Sequence, residues 1–495
     1  MKKPKIESEE IMRKLLSKYQ KMPAQVKASL WFLVCSFITR GIAFITTPIY
    51  TRLMSTEEFG RYNVYTSWYA IIIVIVTMKL SDGVYTQGLI KFDDRREIFS
   101  SALQGLTLTL SVVWFVIYIL FKEFWNSLFH LSQSEMTAMF VAMWIVTVFN
   151  FWASEQRVLL RYKRLVLVTL CVAIITPIAS IMLMQNATDK VVTRIWVSAI
   201  VSVVFYSWMF FVQLKRGKCY FSKEIWKYAV AFNLPLVPHY LSQTILNSSD
   251  MIMIERMVGN SSAGIYSLAY SVSLIMLIFN TSLLNTLNPW IYQRIKNKEY
   301  ERMSSIAYPS LVCIAIVNIL LIAFAPEAVR FFAPASYYEA IWIIPPVAMS
   351  VYFQFMYSLF ADFEFYYEKS KYITIATMTG AIINILLNYV CIKLFGYIAA
   401  GYTTLFCYMI YAFMHYCFMM KICKSTLNGV KPYDVKKMLW ISISFITVGI
   451  LYTLTYSNII ARYSLTILIV IALFIKRDLL ISYMKSFMSV RKKKD

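Results

Sequence analysis

Arg40 stands in the middle of an apolar stretch long enough to cross a membrane, with hydroxyl side chains along the same helical face. Ser29, Ser36, Arg40, Thr47 and Thr51 are spaced 7, 4, 7 and 4 residues apart. At about 100° per residue all five fall within about 40° of Arg40. A lone cation at that depth costs at least ~3 kcal/mol and persists only against a wet or polar interior. A guanidinium fork binds phosphate oxygens two at a time. The chemistry this stripe suits is therefore capture of a phosphorylated cargo within the membrane.

A later apolar stretch carries a second stripe, His239, Ser242, Gln243 and Asp250, with Asn247 at its edge. Asp250, an acid inside a span, is a candidate proton or cation group. Pro235 and Pro238 interrupt the start of that helix, so a bend is expected there. Lys79 and Asp82 sit one turn apart at the end of another span; they pair with each other, snorkel to headgroups, or present Lys79 to a cavity. The candidate cargo contacts are Arg40, Lys79, Ser36, Thr47, His239, Gln243 and Asn247. The 35 Tyr and 12 Trp residues supply rings that stack on sugar faces, although most belong to interface belts and packing.

The elements that position these residues are apolar spans near 28–51, 62–82, 100–121, 136–154, 165–185, 193–214, 229–251, 263–289, 305–326, 339–361, 372–394, 397–420, 438–456 and 461–475. Most are long enough for a hydrocarbon layer of ~30 Å. Of the 49 Lys and Arg residues, 38 lie in the two tails and in every second gap, 9 lie in or at the edges of the other gaps, and Arg40 and Lys79 lie inside spans. Short basic loops stay on the cytoplasmic side, which places both termini in the cytoplasm, as an even number of spans requires. The expected class is an all-α polytopic membrane protein with about fourteen transmembrane helices. The expected organisation is a cytoplasmic tail at 1–27, a first lobe at 28–214, a cytoplasmic loop at 215–228, a second lobe at 229–420, two further helices with their preceding loop at 421–475, and a basic tail at 476–495.

The net charge of +23 lies beside membrane spans, where it meets anionic lipid headgroups and not nucleic acid. Residues 1–27 are polar and resemble no cleavable signal, so the first span is expected to stay in the protein. Ile11, Leu15, Tyr19 and Met22 recur opposite Lys14, Lys18 and Lys21, which fits either a helix on the inner membrane face or a disordered tail. Eight cysteines, most of them in spans (Cys35, Cys171, Cys313, Cys391, Cys407, Cys417), show no disulfide or metal spacing and read as buried thiols. His130, His239 and His415 are too far apart for a local metal motif. There is no GxxxxGK[ST] loop and no GxGxxG, so no cofactor or nucleotide is expected and transport draws on a gradient or on the substrate. Asp362-Phe-Glu364 could pass for the metal-binding pair of a sugar-nucleotide transferase; the simpler expectation is a cytoplasmic loop of solvated carboxylates beside Glu368 and Lys369. No segment outside the spans exceeds about thirty residues, too little for a soluble catalytic domain.

The chain also repeats itself. Arg52, Gly60 and Tyr62 recur at an offset of 204 residues as Arg256, Gly264 and Tyr266, each set on the outer side of a span that opens a six-span block. Six spans between copies make the repeat parallel, with its two halves related by an axis along the membrane normal and a binding site expected between them. Arg52 and Arg256 read as interfacial anchors.

The stretch from Ser36 to Ser67, with Thr39-Arg40, Pro48, the Leu53-Met54-Ser55 break and Phe59-Gly60-Arg61-Tyr62, resembles the opening of bacterial polysaccharide flippases of the multidrug, oligosaccharidyl-lipid and polysaccharide exporter superfamily. Asn384-Ile-Leu-Leu-Asn388, Phe395-Gly396 and Ala399-Ala400-Gly401-Tyr402 are similar to that family's eleventh and twelfth helices. The resemblance implies two six-helix lobes facing a central cavity, with two further helices at the end. It also implies a cargo of oligosaccharide repeat unit on undecaprenyl diphosphate, and Arg40 as the first-helix arginine that binds its phosphates. Lys79, His239 and Asp250 match no family motif and rest on helix geometry.

The expectation is therefore a lipid-linked oligosaccharide flippase of the bacterial inner membrane, serving capsule, O-antigen (lipopolysaccharide) or another polymer. It works by alternating access without catalysis, and coupling to H+ or Na+ at Asp250 is open. Its expected partners are the lipid-linked substrate and membrane lipids, with a glycan polymerase and export machinery as further candidates and no nucleic acid. The alternatives are a cation-coupled multidrug antiporter of the same superfamily, for which an acidic cavity and twelve spans are more natural, and a membrane glycan polymerase or ligase, for which a large outward loop is expected.

Overall fold

In lipid a backbone must satisfy its own polar groups, and long apolar segments do so as helices. A computed structural model describes residues 22–475 and Arg477. The amphipathic reading of the first tail and the basic tail beyond 475, Arg477 apart, lie outside the described residues. All regular elements described are helical. The first ten helices are α1 (Ala24–Leu53), α2 (Thr56–Thr77), α3 (Val84–Lys91), α4 (Arg96–Leu120), α5 (Lys122–Phe129), α6 (Gln133–Val158), α7 (Tyr162–Met184), α8 (Lys190–Gly217), α9 (Lys223–Asn233) and α10 (Val237–Met257). There follow α11 (Asn260–Ser273), α12 (Met276–Lys296), α13 (Ser304–Ala323), α14 (Ala325–Phe332), α15 (Ile344–Tyr366), α16 (Ser370–Phe395), α17 (Ala399–Thr426), α18 (Val435–Leu454) and α19 (Ile459–Ile475).

Local sequence sets many of their ends. Ser132 and Glu135 form a capping box at the start of α6, and the carboxylates of Asp189 and Asp434 accept from the first amides of α8 and α18. Gly396 follows α16 with φ 77°, a left-handed backbone that glycine adopts without strain. The expected break before Pro238 is present: α9 ends at Asn233, Leu234–Leu236 form a single 3-10 turn, and α10 begins.

All fourteen expected spans hold helix, and the protein is an all-α polytopic membrane protein. Among the described residues eleven helical segments are both long and apolar enough to cross a membrane. Three expected spans fall short for stated reasons. α2 opens on Glu57, Glu58 and Arg61, α10 is polar from His239 to Asp250, and α19 has 17 residues.

The chain forms two compact units, one of the described residues up to Leu53 together with Tyr69–Val237, the other of Met54–Trp68 together with the described residues from Pro238 onward. In the first, α3, α4, α6 and α9 meet at an aromatic centre, with Tyr85 edge-on to Phe151 at 4.7 Å and Phe92 stacked on Phe99 at 5.1 Å. Beside it Gln104 donates to Gln213 at 2.6 Å, and Gln213 donates to Glu155 at 2.7 Å. α1 packs on α7, with Ala28 and Cys35 buried. In the second unit α15 is the central helix, buried along most of its length against α17, α13 and α12. Tyr352 of α15 shares a hydrogen bond of 2.9 Å with Ser442 of α18. Arg462 of α19, buried, pairs with Glu327 of α14.

Two expectations are corrected. Asp362 and Glu364 are not solvated loop carboxylates: α15 runs on to Tyr366 and buries them at 2% and 0% exposure. The helix continues because Phe363 keeps its buried face, and it ends only at Tyr367 and Glu368, where φ turns to 54°. Nor are all eight thiols buried. Cys35, Cys407 and Cys423 are, whereas Cys313 and Cys417 are exposed and the other three are half-buried: Cys219 lies in the loop between α8 and α9, and the other four stand on helix faces that their own unit leaves uncovered.

Candidate functional site

α10 is the most polar of the long helices, and its polar residues meet α11, α16 and α17 at one buried cluster. Tyr266 Oη donates to Asp250 Oδ2 at 2.6 Å, Thr404 Oγ1 donates to the same oxygen at 2.7 Å, and Asn388 Nδ2 donates to Oδ1 at 2.6 Å. Ser249 and Asn388 both donate to Asn384 Oδ1, at 2.9 and 3.2 Å, and Thr403 donates to Asn388 Oδ1. Asp250, Asn384, Asn388 and Thr404 are all buried.

Three donors on one carboxylate suit its ionised, acceptor-only form. No Lys or Arg among the described residues pairs with Asp250. A buried charge needs a counter-charge or a proton. The oxygens of Asp250, Asn384, Asn388, Thr403 and Thr404 are hard donors of the kind that hold small cations. Among the described residues no cluster of three or more His, Cys, Asp or Glu forms a conventional metal site.

The rest of the α10 stripe divides. His239 is half-buried and its Nδ1 lies 3.0 Å from Thr377 Oγ1 of α16, a structural hydrogen bond. Asn247 accepts from Tyr408 Oη of α17 at 3.0 Å. Gln243 is exposed. The structure thus brings His239, Asn247 and Asp250 into hydrogen bonds with α16 and α17, Asn247 remaining exposed beside its bond, and leaves Gln243 exposed without such a bond among the described residues.

On α1 the predicted stripe is open within its unit: Ser29, Ser36 and Arg40 are exposed, Thr47 is half-buried, and only Thr51 is buried. Arg40 has no hydrogen-bond or ion-pair partner among the described residues. Leu33, Phe37 and Phe44 share that exposed face, so it is mixed and not purely polar. Lys79 lies in the turn after α2, half-buried, with its ammonium 3.5 Å from Asp82. Unit 1 also holds a cavity of about 350 Å³ between the ends of α4, α6 and α8, lined by Arg96, Glu97, Glu155, Arg161 and Arg216.

Sequence reasoning singled out Asp250 but not its donors. Tyr266 stood out only as a repeat residue, and Asn384 and Asn388 only as a family patch. The signal that could have joined them is chemical: two amides one helical turn apart in an apolar span, followed by paired threonines, require buried partners.

The family model described as Polysaccharide biosynthesis protein matches residues 26–295, more than half of the chain, and one described as MatE matches residues 235–390. "Lsg locus putative protein 1" of Haemophilus influenzae is 21% identical over 376 residues, covering 72% of this chain and 89% of that protein. Among solved structures, lipid II flippase MurJ in its inward closed conformation aligns with a TM-score of 0.67 at 14% identity, covering 91% of this chain and all of that one. An inward-facing multidrug resistance MATE family transporter of the MOP superfamily aligns at 0.61 and 11% identity, covering 79% of this chain and 96% of that one. Identities this low establish a shared fold.

Proposed function

The chain belongs to the polysaccharide biosynthesis protein family, and from that membership we propose that it is a flippase for lipid-linked oligosaccharide. Its cargo is an oligosaccharide repeat unit on undecaprenyl diphosphate, moved from the cytoplasmic to the periplasmic leaflet of the bacterial inner membrane, with both termini in the cytoplasm.

Arg40 is the observation that carries this reading. It is an exposed guanidinium without a partner among the described residues, midway along a membrane-length helix. A diphosphate offers the paired anionic oxygens that its fork binds. In the proposed cycle the lobes 28–214 and 229–420 open inward, Arg40 binds the diphosphate, and Lys79 leaves Asp82 to join it. Ser36, Thr47, Gln243 and Asn247 face the sugar, the lipid tail stays in the bilayer, and rocking of the lobes presents the site outward. The Asp250 cluster takes H+ or Na+ as the coupling ion. A fold shared with a protein named as a lipid II flippase supports this reading.

Deleting the gene and identifying the glycan on the lipid carrier that accumulates tests it. The intact chain should clear that intermediate and Arg40→Ala should not; absence of any accumulated lipid-linked glycan would refute the flippase. A cation-coupled antiporter is the second reading, favoured by the MatE match over 235–390, which contains Asp250. It predicts altered drug or cation tolerance in the deletion strain with no glycan intermediate.

A further inference from the structure

Two buried titratable groups take no part in that cycle. Glu364, two residues before the end of α15, lies with its Oε1 2.7 Å from Nδ1 of His415 on α17, at 0% and 1% exposure. Among the described residues neither side chain has another ion partner. Glu364 Oε2 and His415 Nε2 face no hydrogen-bond partner. The rings of Tyr357 and Tyr411 enclose the imidazole, one stacked at 5.2 Å and one edge-on at 4.5 Å.

A buried pair that serves stability alone satisfies its remaining lone pairs and protons with further hydrogen bonds. This one leaves an open polar atom at each end. We propose that Glu364 and His415 form a proton-binding site of the second unit, distinct from the Asp250 cluster. With carboxylate and neutral imidazole the pair carries one negative charge. One proton taken up from water by the Glu364 carboxylate, which then donates to Nδ1 of the neutral imidazole, brings it to zero, and its release restores the negative charge. The neutral state is the one a low-dielectric surrounding favours.

α17 lines this site up with Asp250. Thr404, Tyr408, Tyr411 and His415 recur at intervals of 4, 3 and 4 and are all buried, one continuous face of about 16 Å at 1.5 Å per residue. Thr404 donates to Asp250 and Tyr408 to Asn247. The pair and the coupling group thus share one buried helix face, and any use of that placement in coupling rests on the transporter reading. The titratable groups around the pair are Tyr357 and Asp362 on α15, Tyr408 and Tyr411 on α17, and Tyr292 on α12, whose ring packs on Tyr366 of α15. Tyr433, before α18, packs on Phe360 and Phe363; Tyr308 of α13 lies under Lys437 of α18; Tyr372 of α16 lies under Lys421.

The test is infrared difference spectroscopy on the full-length chain in lipid nanodiscs while pH is stepped, in H2O and D2O. A deuterium-sensitive carbonyl stretch of a protonated carboxyl should titrate in the native chain, vanish in Glu364→Gln and persist in Asp250→Asn. His415→Gln should move its midpoint by about one pH unit or more. A spectrum of Glu364→Gln equal to that of the native chain overturns the site; should that variant fail to fold, an unmoved midpoint in His415→Gln overturns it instead. Glu364→Leu combined with His415→Leu should fold, because apolar packing replaces a buried pair without loss, and should lack the band; a surviving band counts against the proposal. No cargo is needed, so failure here leaves the flippase reading standing, and absence of a glycan intermediate leaves this site standing.

Discussion

Gly60 and Gly264, 204 residues apart, pack backbone against backbone. A Cβ on Gly60 would lie 1.8 Å from the carbonyl oxygen of Asn260, and one on Gly264 would lie 2.0 Å from that of Thr56. Beside them Thr56 Oγ1 and Ser261 Oγ share a hydrogen bond of 2.7 Å. The two copies of the internal repeat therefore meet at their glycines, where the first turns of α2 and α11 touch within one compact unit. The glycine is needed at both positions because backbone occupies the place of a side chain.

Gly60→Ala or Gly264→Ala should consequently destabilise the protein by about 1–3 kcal/mol, the usual cost of forcing a methyl into a filled contact. Gly41→Ala, where nothing lies within 4 Å, serves as the control. Thermal unfolding in detergent should show a lower midpoint for the first two and none for the third. Matching midpoints for all three would refute the contact.

Arg40→Ala should abolish polymer export while protein remains in the membrane, since the diphosphate loses a bidentate partner where water substitutes poorly. Arg40→Lys should restore export only in part, because an ammonium is a point charge without the planar fork. Surface polymer measured against membrane protein level decides it; full export by the alanine variant at normal level rules the lumenal arginine out.

Asp250→Asn should keep its hydrogen-bonding shape but lose the charge that a coupling ion neutralises. The native chain should gain thermal stability with Na+ or with acid, by about 1.4 kcal/mol at ten times the dissociation constant. The variant should respond to neither. A response of equal size in Asp250→Asn would place the ion elsewhere.

The all-helical membrane class was legible because lipid leaves a chain few options: apolar length and the polar α10 are local properties of the sequence. Asp250 was legible for the same reason, as an acid in an apolar surrounding. Its donors were not, because Tyr266, Asn388 and Thr404 come from three other helices and no spacing rule joins them. Glu364 was misread because a carboxylate near the end of an apolar run looks solvated until a distant residue, His415, is seen to cover it. The repeat glycines were visible as a pattern, but their mutual contact required coordinates.

The face of α1 that Arg40 occupies can be mapped directly. Cys35 is 7% exposed on the side that packs within its unit, whereas the neighbouring Ser36 is exposed and Thr47 half-buried, both within about 40° of Arg40 on the helix. In a background lacking the other native cysteines, a cysteine at position 36 or 47 should react with a small water-soluble thiol reagent, and lipid-linked substrate should protect it. Native Cys35 should stay unreactive. Leu33 and Phe44 are exposed on the same face, so exposure alone does not separate a wet cavity from lipid; reaction with a charged reagent does, because a thiol held in hydrocarbon stays a neutral thiol and reacts poorly. Reaction at 36 and 47 with protection by substrate therefore identifies the face that binds cargo. Equal labelling at 35 and 36 would mean that α1 has no single wet face, and Arg40 would lose its place in the transport path.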